Sequence, residues 1–109
     1  TGAEQSVQGR RQRKRVEILV DQPLVPRILQ AAEACGIRGH TLLPTLSGAG
    51  ASGAWSDDQL TGAMSKVLFV TVTTAEKAEA LIERVAPLLD SYGLVLIASD
   101  VAVVRGGKF

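Results

Sequence analysis

The stretch that decides the fold is residues 66–92, which read KVLFVTVTTAEKAEALIERVAPLLDSY. Its first eight residues are mostly apolar or β-branched, which is typical of a strand. The residues that follow carry apolar side chains at spacings of three and four, which predicts an amphipathic helix. The members of that stripe are Ala78, Leu81, Ile82, Val85, Leu88 and Leu89. A strand that leads directly into such a helix is half of a split βαβ unit.

Local signals mark the ends of this helix. Thr73 and Glu76 have the spacing of a capping box, in which each side chain satisfies a free backbone N–H. Gly93 predicts the end of the helix, and Pro87 predicts a kink or an earlier stop. Residues 94–104 then predict a long final strand.

The upstream half of the chain repeats the same order of elements. Val16, Ile18 and Val20 alternate with polar residues from Arg15 onward, which predicts a half-buried strand. A helix is predicted from Gln22-Pro23 to Gly36, with its apolar face formed by Leu24, Ile28, Ala31, Ala32 and Cys35. A second strand is predicted at 40–46. The result is an α+β, ferredoxin-like βαββαβ domain with an antiparallel sheet and both helices on one face.

The predicted sheet has apolar side chains on both faces. Leu68, Val70 and Val72 would point one way along the third strand, whereas Val67 and Phe69 would point the other way. An antiparallel sheet with one wet face normally alternates between apolar and polar residues. The chain has no further element for the second face, so we expect another copy of the chain to cover it.

Composition places limits on the class of protein. The chain has 109 residues and a formal net charge of +1, which fits one domain and does not suggest a nucleic-acid partner. It has no apolar run of the ~20 residues that cross a bilayer, so no membrane insertion is expected. Its single cysteine cannot form an internal disulfide, and a cytoplasmic location is expected. We predict a disordered basic arm at 1–14 and the domain at 15–109.

Residues for catalysis are scarce. The one His, His40, is expected to be a surface or capping residue, and Cys35 a packed core thiol. Asp57 and Asp58 are adjacent in a loop and do not converge on a metal. No metal-ligand spacing and no nucleotide-binding fingerprint such as Walker A occurs, so we predict neither an enzyme nor a metal site.

The long connection at about 47–63 is the segment that suggests a function. Its Ser47–Gly53 stretch reads SGAGASG, and such backbone can form a concave nest for an anion. A flexible linker is the alternative interpretation. Loops longer than ~12–15 residues are usually functional or disordered, and Trp55 in this loop is a candidate partner anchor. At the other end of the domain, Arg105 could bind a phosphate as a bidentate fork.

In this order, the pieces resemble the PII signalling proteins, and more closely the PII-like group associated with inorganic-carbon uptake and carboxysomes. The resemblance covers about 15–108. Its marks are GIRGHT at 36–41, GAG at 48–50, the strand 66–73 and VVRG at 103–106.

The resemblance implies a homotrimer with inward-facing sheets and adenine nucleotides bound in the clefts between subunits. By position, the nucleotide contacts would be Thr41, Gly48, Ala49, Gly50, Ser91, Tyr92, Gly93 and Arg105. The turn 90–93 would be the second nucleotide-binding loop. Ser47, Gly48 and Lys66 would contact a small anion such as bicarbonate. The loop at 47–63 would be the partner-docking T-loop, with Trp55, Asp57 and Asp58 exposed on it.

Departures from the family pattern reduce the choice of ligands that the resemblance implies. The Thr-Gly-x-x-Gly-Asp-Gly-Lys loop of nitrogen-regulating PII proteins is missing, and the long loop has no tyrosine to uridylylate. The resemblance therefore implies a carbon-linked sensor of ADP or AMP, with ATP as an alternative, together with bicarbonate. No cofactor is implied. The protein partner would be a bicarbonate transporter or a carboxysome-related component.

Other functions stay open at this point. An ACT-type amino-acid-sensing module and a nitrogen-regulating PII protein share the predicted fold. An acylphosphatase-type enzyme needs an asparagine, and the chain has none. An RNA-binding sheet would stack bases on aromatic residues, which make up only 4% of this chain.

Overall fold

The computed structural model of the chain describes residues 10–50, 53–56 and 65–104. Six strands and two α-helices follow one another in this part of the chain, and a short 3-10 turn, Gln22–Leu24, precedes the first helix. The elements are β1 (Arg11–Asp21), α1 (Val25–Ala34), β2 (Thr41–Pro44), β3 (Ser47–Gly50), β4 (Gly53–Ser56), β5 (Lys66–Thr73), α2 (Ala75–Tyr92) and β6 (Val95–Val103).

Four of the strands form one antiparallel sheet in the order β2-β5-β1-β6. Ile18 of β1 lies opposite Phe69 of β5 on one side and Leu96 of β6 on the other. This is the predicted ferredoxin-like arrangement, and β5 has the predicted bounds. Among the residues that the structure describes, strands β3 and β4 pair only with each other, as a separate hairpin.

The hydrophobic core lies between one face of the sheet and both helices. Alternate residues of β1 point into it, and Val16, Ile18 and Val20 are fully buried there. The buried helix residues are Ile28, Ala31 and Ala32 from α1 and Ala78, Leu81 and Val85 from α2. Both helices therefore cover the same face of the sheet, as the sequence predicted.

The opposite, helix-free face is also apolar, and it is exposed. In antiparallel pairing, residues directly opposite one another share a face. Across one row the register aligns Leu43, Leu68, Leu19 and Val95, and across the next Thr41, Val70, Glu17 and Ile97. Val95 and Ile97 are 52% and 56% exposed. The prediction of two apolar faces is confirmed.

The predicted basic arm ends earlier than expected. Strand β1 begins at Arg11, and its register with β6 runs without interruption from Arg11 opposite Val103. Residues 11–14 therefore belong to the sheet, which corrects the boundary at 14. Residues 1–9 lie outside the described part of the chain.

The ends of α2 also differ from the prediction. Thr73 is still in β5, opposite Lys14, so the residue that caps the helix is Thr74. Its side-chain oxygen accepts a hydrogen bond from the backbone N–H of Lys77. Pro87 does not shorten the helix, which continues to Tyr92 and ends at Gly93 in the left-handed conformation. Residues 90–92 are thus the last turn of α2 and not a separate loop.

The long loop contains regular structure where none was expected. Ser47–Gly50 and Gly53–Ser56 form the β3–β4 hairpin, with Gly50 opposite Gly53. Strand β2 is correspondingly shorter than predicted and ends at Pro44. No helix in the described residues is long and apolar enough to cross a membrane.

Candidate functional site

The turn that leads to Thr41 is held in place by several contacts. Gly36 closes α1 with a φ of +79°, a conformation that glycine adopts at little cost. The hydroxyl of Thr71 donates a hydrogen bond to the Gly39 carbonyl at 2.5 Å. The ring of His40 stacks on Phe69 with 5.7 Å between centroids, so the exposed His40 covers one side of a buried core residue. Thr41, one of the predicted nucleotide contacts, therefore lies at a fixed position at the sheet edge.

The base of the β3–β4 hairpin is anchored to the end of the sheet. The backbone N–H and the hydroxyl of Thr45 both donate to the Lys66 carbonyl, at 3.2 and 2.8 Å. The Lys66 ammonium lies 2.7 Å from a carboxylate oxygen of Asp21. Lys66, which the resemblance placed near a small anion, would therefore meet that anion while it is paired with Asp21.

The described part of the glycine-rich stretch, 47–50 and 53, does not form a preformed nest. A nest needs backbone that alternates between right- and left-handed conformations. Gly48 and Gly50 lie in the extended strand β3, and Gly53 has a positive φ, +113°. An anion cradle at Gly48–Gly50 would have to form when the ligand binds.

The predicted contacts at 91–93 lie at the end of α2. Ser91 and Tyr92 are exposed, and Gly93 takes a φ of +64°. A guanidinium N–H of Arg27 donates to the Tyr92 hydroxyl at 3.2 Å, and the Arg27 guanidinium carbon is 5.8 Å from the centre of the Tyr92 ring. This contact joins the end of α2 to α1.

One chain does not bring these segments together. The hairpin base and Gly93 share one end of the sheet, but β2 and β6 are its two edges, about 14 Å apart at ~4.8 Å per strand spacing. The far end of β6, towards Arg105, is about 27 Å from its start. A ligand that touches all three segments therefore needs a second copy of the chain.

Several predicted residues cannot be placed. Arg105, Asp57 and Asp58 lie outside the described residues. Trp55 is opposite Gly48 in the β3–β4 ladder, which places its backbone at the hairpin. Among the described residues, no group of His, Cys, Asp or Glu side chains could hold a metal ion.

One feature was missed by sequence reasoning. An open cleft of about 560 Å³ lies beside the Gly36–His40 turn, and Glu33, Arg38 and His40 are among its lining residues. It lies beside the segment between the end of α1 at Ala34 and the start of β2 at Thr41, and a linear sequence pattern does not reveal such a cleft.

Comparison with protein families settles the relationship of the chain. Residues 13–108 match the family model of the nitrogen regulatory protein P-II. The chain belongs to the P-II family. This agrees with the resemblance seen in the sequence, although a P-II match does not define a subgroup.

Solved P-II structures share the fold at low sequence identity. CPII from Thiomonas intermedia K12, a nitrogen regulatory PII-like protein bound to ADP, AMP and bicarbonate, has a TM-score of 0.81 and 20% identity over 88% of this chain and 92% of its own. A PII-like signalling protein from Thermus thermophilus has a TM-score of 0.79 and 21% identity, with coverage of 92% and 97%. GlnK of B. subtilis, in complex with ATP, has a TM-score of 0.59 and 13% identity, with coverage of 83% and 82%. No curated protein matches the chain.

Proposed function

We propose that this P-II family member is a non-enzymatic sensor that binds ADP or AMP between copies of itself, with bicarbonate as a second ligand. The observation that carries the proposal is the separation of Thr41, Ser91–Gly93 and the end of β6 within one chain. A ligand that uses all of them must bind where copies meet.

The exposed sheet face supplies a surface on which copies can meet. Leu19, Leu43, Leu68, Val95 and Ile97 form a contiguous apolar surface on the helix-free side. Monomeric proteins rarely leave such a patch in water, because its burial is favourable. The proposal includes a homotrimer in which these faces pack together and the sheet edges form the nucleotide clefts.

The choice of ligand rests on the structural neighbours and on the loop sequence. CPII from T. intermedia binds ADP, AMP and bicarbonate, and its fold is the same. The chain also lacks the Gly-Asp-Gly-Lys loop that nitrogen-regulating PII proteins carry. These two points favour ADP and AMP over ATP, and the bicarbonate bound by CPII favours a role in inorganic carbon metabolism. The proposal places the protein in the cytoplasm.

Coupling between the two ligands follows from the extended backbone of the hairpin. Gly48 and Gly50 are extended without ligand, so ordering them around a phosphate costs conformational entropy. A small anion that binds the ordered backbone would not meet this cost again, and each ligand would favour the other. The signal would be a changed position of the loop at 47–63, read by a protein partner through Trp55, Asp57 and Asp58.

Calorimetry tests the proposal directly. ADP, AMP, ATP and cyclic AMP are titrated into the protein in sodium bicarbonate and, at equal pH and ionic strength, in sodium chloride. We expect ADP and AMP to bind, and ADP to bind more tightly in bicarbonate. Arg105→Ala should weaken ADP binding about ten- to a hundred-fold, since a charge-assisted hydrogen bond contributes ~1.5–3 kcal/mol.

The matched control is Arg84→Ala, which removes the same charge from an exposed position on α2. Absence of nucleotide binding would reject the proposed function. An equal or weaker ADP affinity in bicarbonate would reject only the coupling.

A further inference from the structure

Each of the two helices is contacted at its C-terminal end by a basic side chain from the first turn of the other helix. A guanidinium N–H of Arg27, the third residue of α1, donates to the hydroxyl of Tyr92, the last residue of α2, at 3.2 Å. Lys77, the third residue of α2, lies over Gly36 just after α1. A methyl group at Gly36 would be 3.6 Å from the Lys77 Cε and 3.8 Å from its Nζ. The two contacts form a reciprocal pair across antiparallel helices.

The helices do not supply such cations to their own ends. Both lie wholly within the described part of the chain, and neither has a basic residue in its last turn. Each last turn instead carries a carboxylate, Glu33 in α1 and Asp90 in α2. The C-terminal end of a helix has partial negative charge, which a nearby cation stabilises and a carboxylate does not. The positive charge near each end therefore comes from the other helix.

The position of Arg27 is favourable only through its contact with α2. A cation in the first turn of a helix meets the partial positive charge of the backbone there. Helix α1 has no acidic residue in its first turn to offset this repulsion. The Arg27 guanidinium carbon lies 5.8 Å from the centre of the Tyr92 ring, within the range of a cation–π interaction. The contact with the last residue of α2 therefore offsets an unfavourable place in α1.

The end of α2 leads directly into one segment that is predicted to bind nucleotide, Ser91–Gly93. Gly93 takes a φ of +64° immediately after Tyr92. The backbone N–H of Leu94 donates to the Leu89 carbonyl at 3.2 Å and closes the helix. Because the contact from α1 holds the residue just before this turn, it restricts the whole segment.

The end of α1 leads in the same way to the other predicted contact, Thr41. The backbone N–H of Gly36 donates to the Glu33 carbonyl, and that of Ile37 donates to the Ala32 carbonyl, both at 3.0 Å. The lysine from α2 lies over this closing turn. Each helix thus holds the start of a segment that follows the other helix.

We propose that Arg27 and Lys77 are positioning residues for nucleotide binding: each stabilises the C-terminal end of the other helix and so fixes the segment that follows. Helix ends open at a small cost in free energy, so a modest loss of stabilisation changes the fraction of molecules ready to bind. The effect on nucleotide rests on the proposed function, whereas the fixing of the helix ends does not.

The test compares Arg27→Gln and Lys77→Gln with wild type and with Arg84→Gln, which removes an exposed arginine from the middle of α2. Amide hydrogen exchange of the ligand-free protein reports the opening of the two helix ends, at Leu94 and at Ile37. Calorimetry measures ADP affinity, and thermal unfolding measures global stability.

The two variants should act at opposite ends of the helix pair. Arg27→Gln should speed exchange about two- to three-fold at Leu94 and leave Ile37 unchanged, and Lys77→Gln should do the reverse. Each should weaken ADP binding about two- to three-fold, with a melting temperature equal to that of Arg84→Gln.

Conservative variants separate positioning from general support of the fold. Lys77→Arg keeps the charge and should restore both the exchange rate and the ADP affinity. Arg27→Lys keeps the charge but loses the planar fork, so it should restore them only in part.

Three results would overturn the inference. One is exchange in both glutamine variants that matches Arg84→Gln. Another is faster exchange at both helix ends together with a lower melting temperature, which would show a general loss of stability. The last is the expected local exchange with unchanged ADP affinity. A wild type that binds no ADP, with local exchange that changes as expected in the variants, would reject the proposed function and support the fixing of the helix ends.

Discussion

The two faces of the four-stranded sheet are built from similar side chains but have different surroundings. Val16, Ile18 and Phe69 on the helix-covered face are fully buried. On the helix-free face, Val95 and Ile97 are more than half exposed in the single chain. Hydrophobic patterning therefore shows which residues favour burial, whereas topology decides which of them the chain can bury by itself. The single chain leaves the helix-free face uncovered.

The largest expected effect is a difference in stability loss between the two faces: a mutation on one face should destabilise the protein at any concentration, and a mutation on the other only where the protein is associated. Ile18→Ala should lower the free energy of unfolding by about 2–5 kcal/mol at any concentration, because it leaves a cavity in the core. The matched variant Ile97→Ala should cost stability only where the protein is associated.

Urea unfolding of both variants at two protein concentrations measures this difference. Equal losses for Ile18→Ala and Ile97→Ala at the lower concentration, where the chains have dissociated, would mean that the two faces do not differ as described.

The next effect is on association. Ile97→Asp places a charge on the exposed apolar part of the helix-free face, where burial without a partner is costly. We expect association to weaken about a hundred-fold, or ~3 kcal/mol, while the single chain stays folded. Sedimentation velocity measures the change.

Gln30→Asp, at an exposed position of α1, is the control for added negative charge and should leave association unchanged. If Ile97→Asp sediments like wild type, Ile97 does not lie between copies.

The smallest effect concerns the helix that covers the buried face. Thr74→Ala should lower the free energy of unfolding by about 1 kcal/mol, because the Lys77 N–H loses its cap. Thr74→Ser keeps the hydroxyl and should cost less. Thermal and urea unfolding compare both variants with wild type. Equal stability of the three proteins would mean that the Thr74 side chain does not stabilise the helix as a cap.

The sequence was most informative where structure depends on local pattern. Strand β5 has the predicted bounds because β-branched and other apolar residues follow Lys66 without a break to Thr73. The shift of the cap from Thr73 to Thr74 has a non-local cause, since the pairing of Thr73 with Lys14 extends the strand by one residue. A capping pattern alone cannot show which of two adjacent threonines caps the helix.

Pairing between distant segments explains the other differences. Arg11–Lys14 looked like a solvated arm because it has no apolar alternation, but β6, near the other end of the sequence, supplies a partner strand. The β3–β4 hairpin is made mainly of small residues, which give no strand signal. Strand pairing beyond the core is therefore where sequence patterns were weakest.

The candidate site was only partly accessible from sequence. Motif order predicted nucleotide contacts around Thr41, Gly48 and Gly93, but it could not show that one chain holds these segments at separate edges of the sheet. That separation is a property of topology. A ligand that makes all the contacts implied by the resemblance would require more than one copy.

The mass of the unmodified protein in solution tests this requirement most directly. Sedimentation equilibrium at micromolar concentration, without ligand, should give three times the 11.5 kDa of the single chain. A stable species of 11.5 kDa would leave the helix-free face uncovered and would contradict the account.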